Sequence, residues 1–183
     1  MTRSELEHIL RAAGAITDDR EIVVIGSQSI LGQFPDAPIA LLASMEADVY
    51  PRGDPGRSDL IDGGIGEGSP FHERFGYYAQ GVDERTATLP RGWQARLVPI
   101  NNQNTGGVTG LCLEVHDLAI SKYVAGRPKD LAFTEALAQH GLTRRPTLQG
   151  RLRGVSLPAA LRAIVAARIG RDFPGSSRGV RPA

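Results

Sequence analysis

The chain has 183 residues, 41% of them hydrophobic and 22% charged, enough to bury a core and too apolar for a disordered polymer. Its formal net charge of +1 is a cancellation: residues 1–140 hold 12 Lys and Arg against 19 Asp and Glu, whereas residues 141–183 hold nine arginines and one acid, Asp172. A single cysteine, Cys112, excludes a disulfide framework or Cys-rich zinc site, and no apolar run approaches the roughly 20 residues of a membrane span.

In chain order, Ser4 followed by Glu7 reads as a capping box that opens a helix with Leu6, Ile9, Leu10 and Ala13 on one face. Glu21 to Ile25 is a β-branched run and reads as a buried strand stopping at Gly26-Ser27. Gln28 to Phe34 reads as a short helix broken by Pro35 and Pro38, and Ala47 to Tyr50, closed by Pro51, as a second strand. Residues 52–70 are rich in Gly, Asp, Pro and Ser and read as loop, with a helical turn at Ser58 to Ile61. The string Gly63 to Gly68 lacks the Lys-Ser/Thr that a phosphate-binding loop needs.

Pro70 to Phe75 reads as a short helix; Tyr77 to Val82, Trp93 to Ile100 and Leu111 to Val115 read as strands; Asn101 to Gly107 reads as loop. Asp117 caps a helix reaching Ala125, a second begins at Pro128 with Phe133, Leu137 and His140 on one face, and a third runs from Ser156 to Arg171 with Ile164 inward. The expected organisation is an α/β core over 1–115, a helical portion over 116–172 and a disordered tail over 173–183. The charged N-terminus is unlike a signal peptide, so a cytoplasmic protein is expected. The four histidines show no metal-ligand spacing, and Cys112, Tyr77, Tyr78 and Trp93 read as packing residues.

One arrangement carries chemistry. Glu46 and Asp48, two residues apart on a strand, project to one face, where two hard carboxylates can hold Mg²⁺ alongside a triphosphate. Gly26-Ser27 at a helix start offers backbone N–H groups and a hydroxyl to phosphate oxygens. Read blandly, these are a turn and a solvated strand face. Lys122 stands out as one of only two lysines beside 19 arginines.

Val23-Val24-Ile25-Gly26-Ser27 followed by Ser44-Met45-Glu46-Ala47-Asp48-Val49 resembles the signature of the polymerase-β-like minimal nucleotidyltransferases, nearest to the bacterial nucleotidyltransferase toxins and abortive-infection proteins. A later block, Asp117 to Asp130, resembles their helical Lys, then Arg, then Asp. The resemblance covers roughly residues 20–140. It implies a nucleotidyltransferase-like mixed sheet with flanking helices, an NTP substrate with Mg²⁺, and transfer of an NMP to an acceptor such as the 3′ end of tRNA or a protein hydroxyl. It also implies an antitoxin protein as partner.

By that resemblance, Gly26, Ser27 and Ser44 border the nucleotide, Glu46 and Asp48 bind the metal, and Lys122 and Arg127 contact the triphosphate. Asp130 orients substrate or acts as base. The first metal acid is Glu where the family pattern has Asp, and no third metal carboxylate stands out, Glu114 and Asp62 being the candidates. Two further readings stay open: an inactive protein on the same fold that binds nucleic acid or a partner through its Arg-rich end, and a metal-dependent hydrolase.

Overall fold

The computed structural model describes residues 1–174. Helix α1 (Arg3–Thr17) is capped at Thr2, two residues before the expected position, where Thr2 Oγ1 accepts from Glu5 N–H and the Glu5 carboxylate from Thr2 N–H. Glu7 has another use. It is buried, and its carboxylate accepts from Arg3 Nε at 2.8 Å, Asn102 Nδ2 at 2.7 Å and Asn104 Nδ2 at 2.9 Å, tying α1 to the 101–107 loop. Burial raises the Glu7 pKa, but these bonds outweigh it and hold the carboxyl below its ordinary range.

Five strands form one mixed sheet: β1 (Glu21–Val24), β2 (Glu46–Pro51), β3 (Tyr78–Gly81), β4 (Val98–Ile100) and β5 (Thr109–Cys112), in the order β3-β2-β1-β5-β4. β1 runs antiparallel to β2 and parallel to β5, and β3 runs parallel to β2. The α/β class follows from this sheet and its flanking helices. Ile22 to Ile25 are all buried, as a central strand covered on both faces requires.

Several elements differ from expectation for local reasons. Residues Trp93–Arg96 form a 3₁₀ turn, and only Val98–Ile100 is strand; Pro99 is tolerated because β4 is an edge. The turn at Ser58 grows into α2 (Ser58–Ile65), which runs through Gly63 and Gly64 because Ile61 and Ile65 bury one turn apart. Helix α3 (Pro70–Phe75) starts behind an Ser69 cap. Gly26-Ser27 leads into a 3₁₀ turn, Ser27–Gly32, that packs on β2, β4, β5 and the first C-terminal helix, α4 (Val115–Ala125).

Glu114, not Asp117, caps α4: its side chain accepts from His116 N–H. Asp117 is fully buried and is gripped by Arg96 through Nε at 2.7 Å and Nη2 at 3.1 Å, with Arg151 Nε at 3.0 Å. Helices α5 (Pro128–Gln139), α6 (Arg145–Arg153) and α7 (Ala159–Asp172) follow. α6 lies where no helix is expected from the sequence. His140 is exposed at the end of α5, and Ile164 is 48% exposed rather than inward.

The Arg-rich end is largely internal stapling. Arg151 pairs with Asp117 and Glu114, Arg162 donates to the Leu152 and Val155 carbonyls, Arg168 donates to the Tyr123 carbonyl, and Arg171 pairs with Asp172. Among the described residues, Arg144, Arg145 and Arg153 enter no ion pair. Phe173 packs against the core, and residues 175–183 of the expected tail lie outside the described residues. No helix among the described residues is long and apolar enough to cross a membrane.

Candidate functional site

The end of β1 and the middle of β2 meet at one point. Ile25 N–H donates to the Asp48 carbonyl at 3.0 Å, so the Gly26-Ser27 turn sits directly beside Asp48. Glu46 and Asp48, at positions i and i+2 of β2, both border a cleft of about 760 Å³ that Gly26, Ser27 and Ser44 also line. Gly26 has an ordinary φ of −82°, so the turn does not demand glycine. Space does: a Cβ at residue 26 would overlap Asp48 Oδ2 and stand 2.6 Å from its Cγ.

Burial, with the hydrogen bond and charge of Glu46, pushes the Asp48 carboxyl up to about 6, against the pull of Lys122 and Lys129. Two carboxylates that repel one another on a half-buried surface are a site short of positive charge. Ser44 Oγ brackets the Glu46 backbone, accepting from its N–H and donating to its carbonyl, each at 3.1 Å. Gln28 Nε2 donates to the Ser44 carbonyl at 3.1 Å. Tyr78 Oη donates to Glu46 Oε2 at 3.1 Å, and this bond together with burial pushes the phenol up to about 12, so it stays a donor at neutral pH.

The opposite wall is cationic and comes from α4 and α5. Lys122, in the last turn of α4, places Nζ 3.3 Å from Asp130 Oδ1 and over the Phe133 ring at 5.7 Å. Arg127 grips the same carboxylate, Nε to Oδ2 at 2.6 Å and Nη2 to Oδ1 at 3.3 Å. Asp130 is 1% exposed; burial raises its pKa, but Arg127 and Lys122 outweigh that and keep it ionised. Between the two helices Gly126 turns the chain at φ +65°, with the Arg168 guanidinium packed where a side chain would lie.

Lys129, which no motif singled out, lines the cleft as well. Both lysines of the chain therefore face Glu46 and Asp48. A second cavity of about 520 Å³, more apolar, adjoins the first through Ser27, Ser44, Lys122 and Lys129 and reaches Leu41 and Phe133.

Residues 4–143 match the family described as "nucleotidyltransferase of unknown function (DUF6036)". The chain belongs to this nucleotidyltransferase family. No curated protein and no solved structure matches it.

In this family member the two candidate third carboxylates lie elsewhere. Glu114 is held by His116 and Arg151 at the start of α4, and Asp62 Oδ1 accepts from Gly81 N–H on α2's flank of β3. Among the described residues no group of three or more His, Cys, Asp or Glu is placed to hold a metal. Opposite Asp48 in register, β3 presents Gln80, whose side chain borders the cleft. The donor set still suits Mg²⁺, which takes one or two carboxylates and fills its remaining positions with water and substrate phosphates.

Proposed function

We propose that the chain is a Mg²⁺-dependent nucleotidyltransferase that moves an NMP from an NTP to a hydroxyl acceptor and releases pyrophosphate. The observation that carries this reading is the opposition, across one cleft, of Glu46 and Asp48 on β2 to Lys122, Arg127 and Lys129 on α4 and α5. Glu46 and Asp48 would hold the ion, which when bound supplies positive charge to the phosphates. The Gly26-Ser27 turn, Lys122 and Lys129 receive the triphosphate, with lysines acting as compact point charges.

The acceptor oxygen bonds to the α-phosphorus as the α–β bridging bond breaks, and the hydroxyl proton passes to water in the open cleft. Asp130 is not the proton acceptor in this scheme. Both of its oxygens are engaged by Arg127 and Lys122, so it is a positioning residue for the cations. Asp130→Asn is expected to raise the KM for NTP about 10-fold, through loss of charge-assisted bonds that hold Lys122, with a smaller change in kcat. Steady-state kinetics against NTP concentration measure both.

For the acceptor we favour the 3′ end of tRNA or a protein hydroxyl, and for biology the toxin of a toxin–antitoxin or phage-defence pair in the bacterial cytoplasm. The stapling arginines leave Arg144, Arg145 and Arg153 as the described residues of the C-terminal end available to a polyanion, so RNA contact there should weaken with salt. Incubation with Mg²⁺, each labelled NTP and tRNA or protein acceptors tests the reading; labelling that needs Asp48 is the expected result. The neutral Gln80 opposite Asp48 favours a second reading, a binding protein on the same fold, which predicts no labelling with any NTP.

A further inference from the structure

We propose that Tyr78 is the positioning residue for Glu46: its hydroxyl, donated across from the neighbouring strand, fixes the longer of the two acidic arms in the cleft. This rests on the reading of Glu46 and Asp48 as a metal pair. The two acids are not equivalent. Asp48 is confined by burial and by the Gly26 turn against its carboxylate. Glu46 carries one more methylene and one more rotatable bond, and has to lose that freedom before its oxygens can serve a metal.

Tyr78 is its partner in register on β3, and the phenol reaches Oε2 at 3.1 Å, on the carboxylate that also faces Asp48. Tyr78 is itself held on two sides. Its N–H donates to the Met45 carbonyl at 3.0 Å, and its ring lies 4.6 Å from the His72 ring, tilted by 52°. His72 is in turn fixed: Nδ1 accepts from Gly68 N–H at 3.0 Å, and its own N–H donates to Ser69 Oγ at 3.2 Å. The start of α3 is thus connected through His72 and Tyr78 to the Glu46 carboxylate. Outer partners of this kind set the orientation and basicity of metal-binding carboxylates, and their loss typically weakens metal affinity 10–100-fold.

The test is Mn²⁺ binding to the full chain, followed by electron paramagnetic resonance of the free ion, with no nucleotide or turnover involved. Tyr78→Phe keeps the ring and the packing on His72 and removes only the hydroxyl. It should raise the Mn²⁺ Kd about 10-fold with an unchanged melting temperature in the absence of metal. In a Glu46→Asp background the carboxylate is drawn back by one methylene, out of reach of the phenol, so Tyr78→Phe should then add less than about twofold.

His72→Ala should weaken Mn²⁺ in the same direction by a smaller factor. Wild-type affinity in Tyr78→Phe, or an equal loss in both backgrounds, would overturn the assignment. Asp48→Ala separates the layers. If it releases Mn²⁺ while Tyr78→Phe does not, only the role of Tyr78 fails; if it binds as the wild type does, the metal pair fails and the role of Tyr78 with it.

Discussion

Asp48→Asn is expected to lower transfer by ~10³-fold or more, because it removes one of the two carboxylates proposed to hold the metal and with it several kcal/mol of charge stabilisation. The same change should make the metal-free protein more stable at pH 7.5. The sign follows from the direction of the pKa. Burial and the Glu46 carboxylate raise Asp48 from 3.8 to about 6 in the folded state. A raised carboxyl pKa means the folded form keeps a proton that the unfolded chain has released. That contribution is fully present below the unfolded value of 3.8 and is lost as pH rises through 6.

Above pH 6 the ionised Asp48 therefore burdens the fold by on the order of 3 kcal/mol, and the uncharged Asn removes the burden. Denaturant melts without metal should show the variant gaining on the wild type at pH 7.5 and the gain vanishing near pH 4. Lower stability at pH 7.5 would contradict the description of Asp48 as a buried, repelled carboxylate. Such trade-offs between stability and activity are common where a site assembles like charges.

Gly26→Ala is the second large expected effect. The added methyl has no room: it would overlap Asp48 Oδ2, and even the Asp48 Cβ would be 3.0 Å away. The backbone at Gly26 is in an ordinary region, so the penalty is steric, about 1–3 kcal/mol as in other overpacked sites. Activity should fall ~100-fold or more, because relief comes by turning the Asp48 carboxylate out of place. The two residues should be coupled. In an Asp48→Ala background most of the stability penalty of Gly26→Ala should disappear, and a double-mutant cycle on melting data measures this. An additive cycle would show that the glycine is required for some other reason.

The parts of the site that were legible in the sequence share a property: each is local. The β-branched run ending at Gly26-Ser27, and two acids with strand periodicity, specify their geometry within a few residues. What stayed hidden depends on partners far along the chain. Lys129 looks like a solvent-facing helix residue until α5 brings it to the cleft that Glu46 and Asp48 line, although its being one of only two lysines, beside Lys122, is a compositional hint. Tyr78 reads as a packing residue because its contact with Glu46 needs the β2–β3 register, which no local pattern encodes.

The helix caps differ from expectation for a similar reason. Thr2 with Glu5 and Ser4 with Glu7 both satisfy the capping-box pattern, and the choice is made by Asn102 and Asn104, which claim Glu7. Asp117 resembles a cap in isolation, but Arg96 and Arg151 hold it in the interior and leave the cap to Glu114. Helix α6 is not legible in the sequence because Arg145–Arg153 offers only Leu148 and Leu152 as buried apolar residues, with Gly150 between them. Its place is secured by Arg151 reaching Asp117 and Glu114 as well as by a hydrophobic stripe.

The most direct measurement compares two labels on one NTP. With purified protein, Mg²⁺ and an acceptor panel of tRNA and protein, an α-phosphate label should pass to the acceptor in a 1:1 ratio with pyrophosphate released, and a γ-phosphate label should leave only in pyrophosphate. Chelating the metal or replacing Asp48 should abolish both signals. Transfer of the γ label, release of nucleoside diphosphate without transfer, or full activity in Asp48→Asn would contradict nucleotidyl transfer at this cleft.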